Sequence, residues 1–193
     1  MATSTESVDL VGDEAATNLA RAALFAALVG AFAYVTFPNP VSPVSVTLQV
    51  LGVFLAGIFL GPVWGAASLV LYLVAGALGA PVFQGGSAGV GQLVGQSAGY
   101  LWSYPLAAAA VGAVVHRGAT LRDLDAVGLP TLVGAMVLGT AIIYALGVAG
   151  LALVLSLGPV EAVTVGAVAF LPAEALKIAA AVGIVRSDAI AAE

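Results

Sequence analysis

Glu174 and Lys177 stand three residues apart in "LPAEALKIAAAVGIV" (171–185), and the other thirteen residues of that stretch are uncharged. Lys177 is the only lysine of the chain. On a helix, an i,i+3 spacing puts both side chains on one face. Arg186 ends the apolar run, and Lys177 lies nine residues before it, which at 1.5 Å per residue is about 13 Å deeper. A lysine stem does not snorkel that far. An intramembrane ion costs about 2.5–3.5 kcal/mol on the insertion scale, so it faces a cavity or a partner. The pair offers an acceptor and a donor together. That suits a ligand carrying a carbonyl and N–H groups, or one carrying a carboxylate. The competing reading is a self-satisfied pair that fixes helix packing.

A second polar region is "PVFQGGSAGVGQLVGQSAG" (81–99), in which Gln84, Ser87, Gln92, Gln96 and Ser97 offer hydrogen-bonding groups. Its glycines permit tight turns and close approach to a ligand. It lacks the Gly-Lys-Ser/Thr of a phosphate-binding loop, so nucleotide binding is excluded, and no nucleic-acid partner is expected. There are no cysteines, which excludes thiol chemistry and Cys-ligated metal. The lone histidine, His116, forms no metal cluster by itself and reads as an interfacial polar residue. Tyr100, Trp102 and Tyr104 read as interfacial anchors, one of which could line a pocket. No nucleophile–base set or cofactor motif is visible, so an enzyme is not expected and no cofactor is implied.

These groups must be held by membrane helices. The chain of 193 residues is 62% hydrophobic and 8% charged, against about 25% charged in a soluble domain. A span needs roughly 20 residues, and six fit: 18–37, 46–60, 63–80, 100–115, 129–155 and 171–185. Three prolines in "PNPVSP" (38–43) break the chain after span one, and Gly61-Pro62 turns it after span two. Starting span six at Val160 would make it about 40 Å long. Pro172 instead reads as its first helical position, with Glu174 in the dipole-favoured first turn and 160–169 as a separate loop or surface helix. Residues 1–17, which include Glu6, Asp9, Asp13 and Glu14, read as a disordered acidic tail without signal-peptide character. Residues 18–187 form the membrane domain, and 188–193 a C-terminal tail.

Arg21, Arg117, Arg122 and Arg186 all fall on one side of a six-span chain, and the opposite loops (38–45, 81–99, 156–170) contain no Lys or Arg. By the positive-inside rule, both termini are cytoplasmic and the proline- and glycine-rich loops face outward. The expected fold is an all-α integral membrane bundle of six transmembrane helices in the cell membrane, with a ligand pocket closed by the outward loops. Small residues at 57, 61 and 65, and alanines at 22, 23, 26 and 27, allow close helix approach. The glycines read as internal packing. Either packing or a partner surface fits the alanines.

The ordered run from "PVSVTLQ" (43–49) through "GPVWGAASLVLYLVAGALGAPVFQGGSAGVGQ" and "GYL" (99–101) to residue 112, resuming at "FLPAEALK" (170–177), resembles the BioY family. BioY proteins are the biotin-binding S components of energy-coupling factor (ECF) transporters. The resemblance implies a six-helix bundle whose outward loops close over biotin. It also implies docking on an energising module of two ATPases and a transmembrane coupling protein. In the family, an acid and a lysine three residues apart in the last helix contact biotin, and they map onto Glu174 and Lys177. The acid is more often Asp, so Glu174 departs by one methylene, and Ser45 stands where proline is usual. The resemblance carries over Thr47, Gln49, Gln84 and Tyr100 as further contacts. It also carries over an AxxxA docking face, matched by Ala22–Ala26 and Ala23–Ala27.

Biotin has an apolar sulfur ring and a ureido group with two N–H donors and one carbonyl. Glu174 can accept from N–H while Lys177 donates to the carbonyl, or Lys177 can hold the valerate carboxylate. A membrane enzyme using Glu174 as acid or base lacks any supporting motif. A proton-coupled secondary carrier for a small carboxylate or vitamin lacks the inverted repeat common in such folds.

Overall fold

The computed structural model of the chain describes residues 12–187. The elements in order are α1 (Asp13–Phe32), β1 (Thr36–Phe37), β2 (Val46–Thr47), α2 (Gln49–Ala77), α3 (Ala98–His116), α4 (Leu129–Leu155), α5 (Pro159–Gly166) and α6 (Leu171–Val185). Short 3₁₀ turns occupy Gln84–Gly86, Val90–Leu93 and Val168–Phe170. Among the described residues, five helical stretches are long and apolar enough to cross a membrane: α1, α2, α3, α4 and Pro159–Val185. The chain is a multi-pass helical membrane protein.

α2 is not one straight rod. Gly61 has φ 74°, a left-handed conformation that interrupts the helix, and Pro62 follows it. In a straight helix Gln49 and Tyr72 would be about 35 Å apart, yet Gln49 Nε2 donates to Tyr72 Oη at 2.5 Å. A Cβ added at Gly65 would lie 3.1 Å from the Cα of Gly57, so the two arms touch. The Gly61-Pro62 turn is therefore a hairpin bend, with glycine where the arms meet.

The bend is latched by the lone histidine. Pro62 has no N–H, so the carbonyl four residues earlier, on Ile58, has no helical donor. His116 Nε2 lies 2.8 Å from that carbonyl oxygen. His116 Nδ1 accepts from the Arg122 backbone N–H at 3.0 Å, so Nε2 carries the ring hydrogen and donates to Ile58. His116 is only 4% exposed: it is an internal latch, not the interfacial residue that its sequence context predicts. At the same end, the Arg186 guanidinium donates to the carbonyls of Leu124 and Val127, tying the end of α6 to the α3–α4 loop.

Several boundaries differ from expectation, most of all around α1. α1 begins at Asp13, so residues 13–17 belong to a helix and not to a tail; the remaining tail residues, 1–11 and 188–193, lie outside the described residues. α1 ends at Phe32 because the chain beyond it forms a ribbon, with Thr36 opposite Thr47 and Phe37 opposite Val46. The apolar "YVTF" run at 34–37 thus turns and enters the strand Thr36–Phe37 instead of completing a span. The first arm of α2 accordingly starts at Gln49, three residues later than expected.

α1 packs on α2 through Ala22 and Ala26, 1% and 8% exposed, while Ala23 and Ala27 are exposed. Ala22 and Ala26 are therefore core residues and offer no surface to a partner, contrary to their reading as docking positions. α5 and α6 are separated at Ala167, whose φ of −132° and ψ of −59° break the helix. α6 itself starts at Leu171, the residue expected, with Pro172 as its second position.

Candidate ligand-binding site

Glu174 and Lys177 sit in the first half of α6, 2% and 5% exposed. Lys177 Nζ donates to Glu174 Oε1 at 2.6 Å. Tyr144, halfway along α4, donates its hydroxyl to the same oxygen at 2.9 Å. The other carboxylate oxygen, Oε2, is buried with no partner among the described residues. A buried acceptor without a donor costs about 1–3 kcal/mol, more when charged. The Lys177 ammonium has three N–H groups, and its only side-chain hydrogen bond among the described residues goes to Glu174. One strong acceptor and further donors are thus left open at one point.

The pair lines a cavity with about 520 Å³ of space between atoms, including a mouth open to solvent. All six residues picked out by sequence as contacts line it: Thr47, Gln49, Gln84, Tyr100, Glu174 and Lys177. Apolar walls come from Val44, Val50, Leu101, Ile143 and Phe170. Tyr100 and Tyr144 meet edge-on with centroids 6.0 Å apart, and Tyr144 leans on Phe170 at 5.9 Å. Polar groups set among apolar and aromatic walls are the usual make-up of a small-molecule site.

The six do not offer equal chemistry. Thr47 Oγ1 donates to Gln49 Oε1 at 3.0 Å and accepts from the Gln49 backbone at 3.3 Å. Gln49 also donates to Tyr72, so this group is internally satisfied. Tyr100 donates to the Gly166 carbonyl at 2.6 Å, beside the α5–α6 break. These three therefore shape the wall and position the segment leading into α6. Glu174, Lys177 and the Gln84 amide keep free capacity. Tyr104 lines the cavity too, and its hydroxyl has no hydrogen bond among the described residues.

Tyr144 escaped the sequence reading. A phenol halfway along a long apolar span needs a buried partner, and that mid-span position was the available signal.

The loops around the mouth are pinned in place. Tyr34 donates to the Pro81 carbonyl at 2.7 Å, and the Gly85 and Gly89 N–H groups donate to Ala33 and Gly76 carbonyls at 3.0 and 2.8 Å. Trp102 is half exposed and donates its indole N–H to Leu93 at 3.0 Å, clamping the second 3₁₀ turn to α3. From the other side, Asn39 Nδ2 reaches the Ala169 carbonyl at 3.4 Å.

Fold and site together define a class: a multi-pass helical membrane protein with a small-molecule cavity built around a buried ion pair. The BioY family model matches residues 3–192. The chain is 40% identical over 141 residues to the biotin transporter BioY of Rhodobacter capsulatus, covering 73% of this chain and 72% of that protein. It is 35% identical over 168 residues to the biotin transporter BioY of Rhizobium etli, covering 83% and 86%. A solved S-component for biotin from an ECF-type ABC transporter has the same fold, with a TM-score of 0.81 at 23% identity over 92% of this chain and 93% of that chain. The chain belongs to the BioY family.

Proposed function

We propose that this chain is the biotin-capturing membrane subunit of an ECF-type vitamin importer. The observation that carries the reading is the unpartnered Glu174 Oε2 beside Lys177, deep in a largely apolar cavity. A ureido group matches it: an N–H donates to Oε2 while the carbonyl accepts from Lys177. The sulfur ring then lies against Ile143, Phe170 and the tyrosines. A ligand carboxylate at this point would meet Glu174 with no proton to donate, which favours the ureido end there. The relatives named as biotin transporters support the same ligand.

In this reading the two arms of α2 count separately, which gives six crossings. Both termini and the arginine-bearing end are cytoplasmic, the loops at 38–45 and 81–99 face outward, and the membrane is the cell membrane. Transport then requires a transmembrane coupling protein and two ATPases, because the chain carries no nucleotide-binding motif. The exposed Ala23–Ala27 face of α1 is where a helix of the coupling protein would approach closely.

Equilibrium binding of radiolabelled biotin to the purified chain, without ATP or an ion gradient, tests the proposal. Saturable binding at one site per chain is expected. Absence of binding by folded protein would remove the reading. Uphill uptake by this chain alone, driven by a pH gradient in ATP-free vesicles, would move it to the proton-coupled carriers.

A further inference from the structure

A second concavity adjoins the first at the loop end. Pro43, Ser87, Gln92 and Gln96 line it, and it shares Val44, Gln84 and Ser97 with the cavity around the ion pair. The two concavities therefore meet at a shared wall, and Gln84 and Ser97 face both. Among the described residues, the side chains of Gln84, Gln92, Gln96 and Ser97 make no hydrogen bond, while Ser87 is held on the Gln84 carbonyl at 2.9 Å. Four neutral side chains, each with N–H or O–H donors, surround the mouth uncommitted.

No cation competes with them. The chain has five basic residues. Arg21, Arg117, Arg122 and Arg186 belong to the opposite end, and Lys177 is bound to Glu174 inside. The only acidic residue in the three loop-end segments is Glu161. An anionic tail leaving the inner cavity thus meets amides, hydroxyls and water, and no counter-charge.

We infer that Gln84, Gln92, Gln96 and Ser97 form a neutral subsite for the ligand's carboxylate tail, so that this protein recognises the ureido head strictly and the charge of the tail weakly. The inference rests on the biotin reading above. It predicts a selectivity that the ion pair alone does not. Neutral donors bond a carboxylate about twice as strongly as an ester or amide, but at a mouth open to water the carboxylate gives up hydration for those bonds, so removing the tail's charge costs less than about tenfold in affinity. Were the tail paired with a buried ammonium, the same change would cost about ten- to hundredfold or more.

The experiment is competition against radiolabelled biotin on the purified full chain, with biotin, biotin methyl ester and biotinamide as competitors. The two neutral-tailed ligands are expected within about tenfold of biotin. Gln92→Lys and Gln96→Lys, which place a cation at the mouth, should each raise the preference for biotin over its methyl ester several-fold. Lys177→Met should weaken biotin and the ester in equal proportion.

Three results would overturn the neutral subsite while leaving biotin capture intact. The first is a methyl ester weaker than biotin by more than about a hundredfold. The second is a biotin-to-ester ratio unmoved by both lysine substitutions in proteins that still bind biotin. The third is a ratio that collapses in Lys177→Met, which would put the tail on Lys177. If biotin itself fails to bind the unmodified chain, the underlying function fails instead, and the two failures are told apart in the same titration.

Discussion

Two clusters of buried polar groups sit at opposite ends of the molecule. At the α2 bend, both ring nitrogens of His116 are occupied, and the carbonyl that Pro62 leaves without a donor is filled. Around Glu174, one carboxylate oxygen has no partner, and the Tyr104 hydroxyl and Gln84 amide are uncommitted. Both clusters are buried, and both involve residue types rare inside membranes. What separates them is closure. A polar cluster that serves the fold satisfies itself, because each open group costs stability. A cluster that is open at a few convergent points, inside a cavity, is waiting for a ligand's groups. The Thr47–Gln49–Tyr72 network belongs with the first kind although it borders the cavity.

The largest effect is expected at the open cluster. Lys177→Ala leaves Glu174 without its cation and removes a donor, so biotin affinity should fall about ten- to hundredfold. Binding to a mutant shown to be folded by its thermal transition checks this. Unchanged affinity would return the pair to a purely structural role.

His116→Ala should act in the opposite sense. It strips the donor from the Ile58 carbonyl and should lower stability by about 1–3 kcal/mol. It should leave biotin affinity nearly unchanged in the folded fraction. Thermal unfolding in detergent, paired with a binding curve, reads both quantities. A large loss of affinity with intact stability would erase the distinction between the two ends.

Tyr144→Phe sharpens the open cluster. It keeps the ring against Phe170 and Tyr100 and removes one of the two donors to Glu174 Oε1. Affinity should fall only about two- to tenfold, since Lys177 still holds that oxygen. A loss as large as that of Lys177→Ala would make Tyr144 a direct ligand contact.

The smallest effect on the isolated protein is expected on α1. Ala23→Trp or Ala27→Trp should leave biotin binding unaltered while blocking assembly with the coupling protein proposed above, measured by co-purification. Ala22→Trp or Ala26→Trp should instead destabilise the chain by about 1–3 kcal/mol through overpacking against α2. If the exposed pair destabilises and the buried pair only prevents assembly, the two faces of α1 have been assigned the wrong way round.

The sequence made much of this legible, and the rest was hidden for identifiable reasons. α4 was readable to the residue because Gly128 and Ser156 bound an uninterrupted apolar run. Gly61-Pro62 was readable as a turn because its chemistry is local. The start of α6 was readable because Pro172 marks it. Span one was misplaced because hydropathy does not tell an apolar helix end from an apolar strand, and the pairing of Thr36 with Thr47 is decided by a partner beyond the loop. The face of α1 that meets α2 depends on how the two helices dock, so the alanine pairs looked equivalent. His116 looked interfacial because its partner carbonyl is 58 residues away. Pro62 nonetheless announced that some donor had to reach Ile58. Free capacity, which separates Glu174 from Gln49, is visible only once every partner is placed.

The most direct measurement is a set of three biotin titrations on purified protein: the unmodified chain, Glu174→Gln and His116→Ala. Glu174→Gln keeps the side-chain volume but removes the charge that faces Lys177 and the ligand's N–H. One saturable site per chain is expected, with an affinity weakened about ten- to hundredfold in Glu174→Gln and unaltered in folded His116→Ala. Equal affinity in all three proteins, or a loss confined to His116→Ala, would contradict it.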